Sequence, residues 1–372
     1  MARLAVLHNT LDLRGGADAV CVRACAALAE RHDVTLFTVS RADPAAVAAD
    51  FGVSLDVPGD VRVASPPLAD AVAGAFARAA PRIGPQLPAR STLLRAFFRR
   101  HADEYDLAVS TANEFALSLP SLQYVHFPQF HGRRTPRADP GTLDPLWSRL
   151  AGPTPGAVGD DAHLLANSAW TADTVASIYG RRPAVLHPPV APVAGRAWAD
   201  REPGVLVLGR IAPDKRTLDA IRVADAVRER GHDLRFHVVG TAAPAYRDYV
   251  ERVRSAAAER PYLAVETDAD RERVETLLGR YRYGLNAKPD EHFGMAVAEY
   301  VAAGMVAFAP DSGGQRDVLA GDERLLFDGV EGAAERVAAA VESGLTPTLP
   351  RDRFGPERFA DALRDHVAAA LE

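Results

Sequence analysis

Two pairs of side chains in the second half of the chain have the types and spacing that chemistry requires. Arg210 and Lys215, with four residues between them, lie in Gly209-Arg210-Ile211-Ala212-Pro213-Asp214-Lys215, which follows an apolar run and precedes a helical one. Two cations converging at the ligand edge of a sheet suit a diphosphate whose charge grows as it departs. Taken alone, such a pair is more often two solvated surface cations; the strand-end position argues for the site. So does the scarcity of lysine: of 43 basic residues only Lys215 and Lys288 are lysines, and a compact ammonium is not replaced by a guanidinium. Glu291 and Glu299, with seven residues between them that include a His-Phe-Gly-Met turn, form the second pair. A carboxylate accepts two hydroxyl hydrogen bonds at once, as a sugar diol offers. The backbone N–H groups of Phe293, Gly294 and Met295 would open the following helix toward hydroxyls or phosphate oxygens. Read without context, the same acids are equally a helix-start acid and an exposed helix acid.

Three features of the first half are weaker. Gly15-Gly16 follows the first apolar run and resembles half of a dinucleotide fingerprint, but Gly-x-Gly-x-x-Gly is missing, which argues against a nicotinamide dehydrogenase. His126, in Tyr124-Val125-His126-Phe127-Pro128, ends a strand-like run; a lone histidine is usually structural. His8 ends the first run in the same way and has a lesser claim. The stretch 90–101 sets Leu93, Leu94, Phe97 and Phe98 against Arg90, Arg95, Arg99 and Arg100. It reads as a helix packing on the sheet, or as a basic face for peripheral contact with anionic lipid.

The elements that must position these residues alternate. Apolar strands at Arg3–His8, Val34–Val39, Leu107–Ser110, Gln123–Phe127 and His163–Ala166 are separated by helical periodicity. Pro128 to Gly159 is rich in Pro, Gly and Arg and reads as a long loop with at most a helical turn near Trp147. His187-Pro188-Pro189 reads as a hinge. Beyond it, strands at Gly204–Leu208, Leu234–Val239, Tyr262–Glu266, Tyr283–Ala287 and Val306–Ala309 alternate with helices. A helix over Pro356–Leu371 has Phe359, Leu363, Val367 and Leu371 on one face. This rhythm predicts α/β architecture with parallel sheets that bind ligands at their carboxyl ends, in domains 1–187 and 188–350 followed by a tail 351–372.

Bulk properties exclude several classes. With 372 residues, 48% hydrophobic and 25% charged, the chain has room for two domains. The net charge of −6, with no basic excess in either half, argues against a nucleic-acid partner. Cys21 and Cys25, one helical turn apart, read as buried thiols in a reducing compartment. No apolar run reaches the length of a membrane span, and Met1-Ala2-Arg3-Leu4 leads straight into a strand. A cytoplasmic protein is expected.

Together these motifs resemble the family 4 retaining glycosyltransferases, and the match runs in order along nearly the whole chain. It is strongest over Asn286–Leu319, where EHFGMAVAEYVAAGMVAFAPDSGG looks like the eukaryotic mannosyltransferases that extend dolichol-linked oligosaccharides; YVHFP, NSAWTADTV and LHPPV look like that subgroup too. The resemblance implies the GT-B fold, two Rossmann-like domains facing across a cleft. The first would bind the acceptor and the second the nucleotide-sugar, and the final helix would cross back. It implies that Arg210 and Lys215 bind the donor diphosphate, Glu299 the ribose, and Glu291 with the Phe293–Met295 backbone the donor sugar. Gly15 and Gly16 would approach the phosphates, and His126 the acceptor and sugar.

The implied reaction is retaining, metal-independent and without cofactor, moving a hexose, favoured as mannose from GDP-mannose, to a glycan or lipid-linked acceptor at the inner membrane face. A sugar-nucleotide epimerase of the same fold and a non-catalytic sugar-nucleotide-binding protein are the alternatives. Asp18 and Asp317 stand where the family pattern has glutamate, which leaves contacts through them open.

Overall fold

Strand β1 (Arg3–His8) is buried after its first residue, as a strand covered on both faces must be. In the computed structural model, which describes residues 1–56, 60–67, 69–83, 87–128, 158 and 162–372, it is an interior strand of a seven-stranded sheet. The other strands are β2 (Asp33–Thr38), β3 (Val61–Ala64), β4 (Leu107–Ser110), β5 (Ser121–Val125), β6 (Ala162–Ala166) and β7 (Ala184–Val185). All pair in parallel, in the order β3-β2-β1-β4-β5-β6-β7. The chain leaves β1 toward β2 on one side and returns to β4 on the other. The crevice at the carboxyl ends of β1 and β4 is therefore the topological switch point, where ligands of such sheets bind.

The second sheet has β8 (Glu202–Leu208), β9 (Arg235–Gly240), β10 (Leu263–Thr267), β11 (Tyr281–Leu285), β12 (Val306–Pro310) and β13 (Leu326–Phe327). The order β10-β9-β8-β11-β12-β13, again parallel, puts its switch point between β8 and β11. Here Gly284 and Tyr300 fit as lock and wedge: a Cβ on Gly284 would collide with the Tyr300 ring. The Tyr300 hydroxyl accepts the Leu208 N–H at 2.6 Å and donates to the Leu285 carbonyl at 3.3 Å. One buried phenol thus spans the two strands where their own ladder ends.

Chain contacts divide the molecule into a first unit, Met1–Pro189 with Pro356–Glu372, and a second, Val190–Gly355. The tail boundary expected at 351 is corrected to 356, and its cause is visible. Arg351 Nε donates to the Ala302 carbonyl at 3.0 Å and its Nη2 to the Val193 carbonyl at 2.5 Å. Phe354 packs edge-on against Phe293 at 5.3 Å. The helix Pro356–Leu371 belongs to the first unit. Its Phe359, Leu363 and Val367 enter the core beneath the helix Gly16–Ala29, and Arg364 donates to the Ala27 carbonyl at 3.0 Å.

The basic stretch 90–101 is also corrected. The helix runs Leu87–Phe98, and Arg90, expected on its charged face, is 3% exposed. Its Nη1 donates to Thr10 Oγ1 at 2.8 Å, Asp12 Oδ2 at 3.0 Å and the Val39 carbonyl at 2.6 Å. Leu93, assigned to the packed face, is 40% exposed. The helix is rotated so that Nη1 meets three acceptors inside, while the buried Nε is left without a partner among the described residues. Strand β3 and the single helical turn Gln315–Val318 were not expected from the sequence; both are shorter than their periodicity needs to declare itself. The Arg-rich loop 131–149 and the turn near Trp147 lie outside the described residues.

Candidate functional site

In the second unit the loop after β8 is shaped by glycine on both sides. Gly240, at the end of β9, packs so closely that a Cβ there would overlap the Gly209 carbonyl oxygen. The Ile211 N–H then donates to the Thr241 carbonyl at 3.0 Å. Pro213–Lys215 forms one 3-10 turn, and Arg216, in left-handed conformation at φ +53°, redirects the chain into the helix Thr217–Glu229. Arg210 and Lys215 are thereby held at the carboxyl edge of the sheet, beside the switch point.

Neither cation is idle. Arg210 Nη2 donates to both oxygens of Asp214 at 3.1 and 3.2 Å, and its guanidinium lies 5.4 Å from the Tyr246 ring centroid. Lys215 Nζ donates to Glu291 Oε1. Lys288 Nζ lies 3.5 Å from Glu291 Oε2 and 3.7 Å from Asp214 Oδ2. The chain's two lysines thus meet on one carboxylate. Burial pushes the Glu291 pKa up, but Lys215 and then Lys288 outweigh it and hold it below the ordinary carboxylate value. The pKa of the neighbouring His292 is also lowered, to about 4, through burial and the charge on Lys288, so it is neutral near pH 7.

Glu291 is fixed from behind by the turn after β12. Gly313 has φ +69°, and a Cβ there would stand 2.5 Å from the Glu291 carbonyl oxygen. The Gly314 N–H donates to that carbonyl at 2.7 Å. Gln315, fully buried, donates through Nε2 to the carbonyls of Lys288 and Pro310, both at 3.1 Å, and accepts from Asn286 Nδ2 at 2.7 Å. Gly294, at φ +102°, turns the chain into the helix Met295–Ala302, so Phe293, Gly294 and Met295 stand at its start as expected. Glu299 lies in the second turn, where its Oε1 accepts from Arg271 Nη1 at 2.5 Å. Residue spacing gave no sign of that guanidinium.

In the first unit, Gly15 precedes the helix Gly16–Ala29, and the Gly15 N–H donates to Asp18 Oδ2 at 3.0 Å. The other Asp18 oxygen accepts from His8 Nε2 at 2.9 Å, and His8 Nδ1 meets Thr111 Oγ1 at 3.0 Å. The Thr111 carbonyl accepts from His126 Nε2 at 3.1 Å. One polar chain therefore joins the Gly-Gly turn to His126 across the carboxyl ends of β1, β4 and β5. Asn113, left-handed at φ +73°, adds its Oδ1 as acceptor for the N–H groups of His126 and Phe127 at 2.7 and 3.1 Å. Asp18, shorter than the glutamate of the family pattern, reaches both the turn and His8. Sequence reasoning ranked His8 below His126; only β1 lying next to β4 brings Thr111 to it.

Burial alone would strip His8 of its proton, but the Cys21 sulfur and the Asp18 carboxylate against it raise its pKa to about 10. The unfolded histidine releases its proton near ~6.5. The stability this group contributes is therefore complete below about pH 6.5 and is lost as pH rises toward 10. Urea midpoints of the protein should fall over that range, and His8→Gln should lose this part of the decline. Parallel pH slopes for the two proteins would mean that His8 is buried neutral.

Among the described residues, no group of three or more His, Cys, Asp or Glu side chains is placed to hold a metal ion, and no helix is long and apolar enough to cross a membrane.

Residues 194–357 match the family model described as glycosyl transferases group 1. The chain is 26% identical over 223 residues to the GDP-Man:Man(3)GlcNAc(2)-PP-Dol alpha-1,2-mannosyltransferase of Candida glabrata, covering 53% of this chain and 44% of that protein. The protein of the same description from Eremothecium gossypii is 29% identical over 163 residues, covering 40% of this chain and 28% of its own length. The chain spans less than half the length of these curated relatives. Among solved structures, Anabaena HepE in complex with UDP and glucose superposes with a TM-score of 0.67 at 14% identity, covering 99% of this chain and all of that one. WaaG, described as a glycosyltransferase involved in lipopolysaccharide biosynthesis, does so at 0.61 and 15%, covering 97% and 99%. At these identities the likeness is one of fold.

Proposed function

From a chain of GT-B fold whose second unit matches the model of glycosyl transferases group 1, we propose a retaining hexosyltransferase that takes mannose from GDP-mannose. The observation that carries the reading is the junction at the β8–β11 switch point. Two cationic side chains of one loop stand there, Arg210 on Asp214 and Lys215 on Glu291, a carboxylate buttressed by a glycine turn. Cations at that edge stabilise the charge that develops on a departing diphosphate. Glu291 and the helix start at Phe293–Met295 receive the sugar, and Glu299 the ribose.

The acceptor hydroxyl attacks from the face the diphosphate leaves, giving its proton to a phosphate oxygen of the donor. The bond from the anomeric carbon to the phosphate oxygen breaks as the new glycosidic bond forms. The first unit holds the acceptor, a glycan or lipid-linked glycan, along the polar chain from Gly15-Gly16 to His126. Mannose, GDP and a lipid-linked acceptor are supported by the substrates named for the curated relatives.

A thermal-shift panel of GDP-, UDP- and ADP-sugars tests the donor: GDP-mannose should raise the melting temperature most. A larger shift with a UDP-sugar would replace the base assignment. With Arg210 and Lys215 in the place of a metal, turnover should also survive EDTA. Activity lost to chelation and restored by Mn²⁺ would end the metal-independent reading.

A further inference from the structure

Arg210 and Lys215 are both engaged before any donor arrives, and that raises a question of charge. If they turn to a diphosphate, Asp214 and Glu291 lose their partners while only 19% and 14% of each side chain is exposed. A carboxylate stripped of its partner in such a setting takes up a proton or destabilises its surroundings. A protonated Glu291 carries an O–H donor on one oxygen and no longer offers a charged acceptor on each of its two oxygens.

One cation touches both acids without belonging to the Arg210–Lys215 loop. Lys288 Nζ lies 3.5 Å from Glu291 Oε2 and 3.7 Å from Asp214 Oδ2. It stands just after β11, on backbone pinned from below: Gln315 Nε2 donates to its carbonyl at 3.1 Å, and its own N–H donates to Asn286 Oδ1 at 3.4 Å. Its ammonium approaches a different Glu291 oxygen from the one Lys215 occupies, so either lysine can leave without the other. The other titratable group against Glu291 is His292, which burial and Lys288 keep neutral and which cannot substitute for a cation.

We propose that Lys288 is the resident counter-ion of this site. It compensates the charge of Glu291 and Asp214 while Lys215 and Arg210 are handed over to the donor diphosphate, and so makes binding an exchange of ion pairs and not a creation of bare charge. It is a positioning residue, acting through Glu291. The inference rests on the donor site proposed above.

The exchange has a signature in protons. Calorimetric titration of the full chain with GDP near pH 6, repeated in buffers of different ionisation enthalpy, counts protons taken up on binding. Wild type should take up only what the nucleotide itself requires. Lys288→Met should take up as much as about one proton more and bind roughly tenfold more weakly at pH 7.5, and Lys288→Arg should restore both values. Lys288→Gln serves where the methionine variant does not fold. Equal proton uptake by wild type and variant, or a failure of arginine to rescue, would overturn the counter-ion role while leaving the donor site standing. If the wild type binds none of GDP, UDP and ADP, the donor site fails and the inference with it.

Discussion

Lys215→Ala should reduce turnover by at least ~10²-fold, the loss that follows removal of a single group aimed at developing charge. The protein should remain folded, because Lys215 is one of two ammonium groups on Glu291 and Lys288 stays in place. The loss should therefore fall on kcat, with a smaller change in KM for the donor. Steady-state kinetics at saturating acceptor, beside a melting curve, separates the two. A variant that folds and turns over within threefold of wild type would remove Lys215 from the chemistry.

Gly240→Ala should have a comparable effect by another route. The added methyl would occupy the space of the Gly209 carbonyl oxygen, and the Ile211 side chain stands 3.2 Å behind it. The obstacle is backbone at a strand end, so no rotamer relieves it. Either β9 moves off β8, where five residue pairs are in register, or the loop carrying Arg210 and Lys215 moves out. Overpacking of this kind costs about 1–3 kcal/mol or more. In a unit of this size that lowers Tm by several degrees, at roughly 2–4 °C per kcal/mol. A displacement near 1 Å at the cations is also enough for a ~10²-fold loss of rate. Gly240 touches no ligand in the proposed site, so a catalytic defect from it tests whether the glycine contact is what aims the loop.

The sequence made the frame legible because each strand and helix announces itself within its own residues. The apolar run Arg3–His8 and the periodicity of Thr217–Glu229 need no knowledge of their neighbours. The candidate residues Arg210, Lys215, Glu291 and Glu299 were legible for the same reason: each pair lies on one continuous segment with recognisable spacing. What sets their state was not. Arg271 reaches Glu299 from 28 positions away, and Lys215 reaches Glu291 across 76. Gln315, to which the sequence assigned no role, is the side chain that ties Lys288 and Asn286 to the turn after β12. Arg90 was misplaced because hydropathy counts a guanidinium as surface, whereas Thr10, Asp12 and Val39 supply it with acceptors inside. Lys288 lay between these cases. Its rarity marked it as unusual, but its task became visible only with Asp214 and Glu291 on either side.

The helix Pro356–Leu371 sets an order of assembly. It completes the core of a unit whose other residues end at Pro189, with Phe359 edge-on to Tyr124 at 6.2 Å and Leu363 and Val367 beneath Gly16–Ala29. On the ribosome, the entire second unit is made between the two parts of the first. At about 5–20 residues per second, that interval is on the order of ten to forty seconds. For that time the nascent first unit has its sheet but lacks its final apolar cover, while the continuous second unit has every strand it needs. The later-made unit can thus be finished first, and the apolar face awaiting residues 359–367 is where a chaperone would be needed.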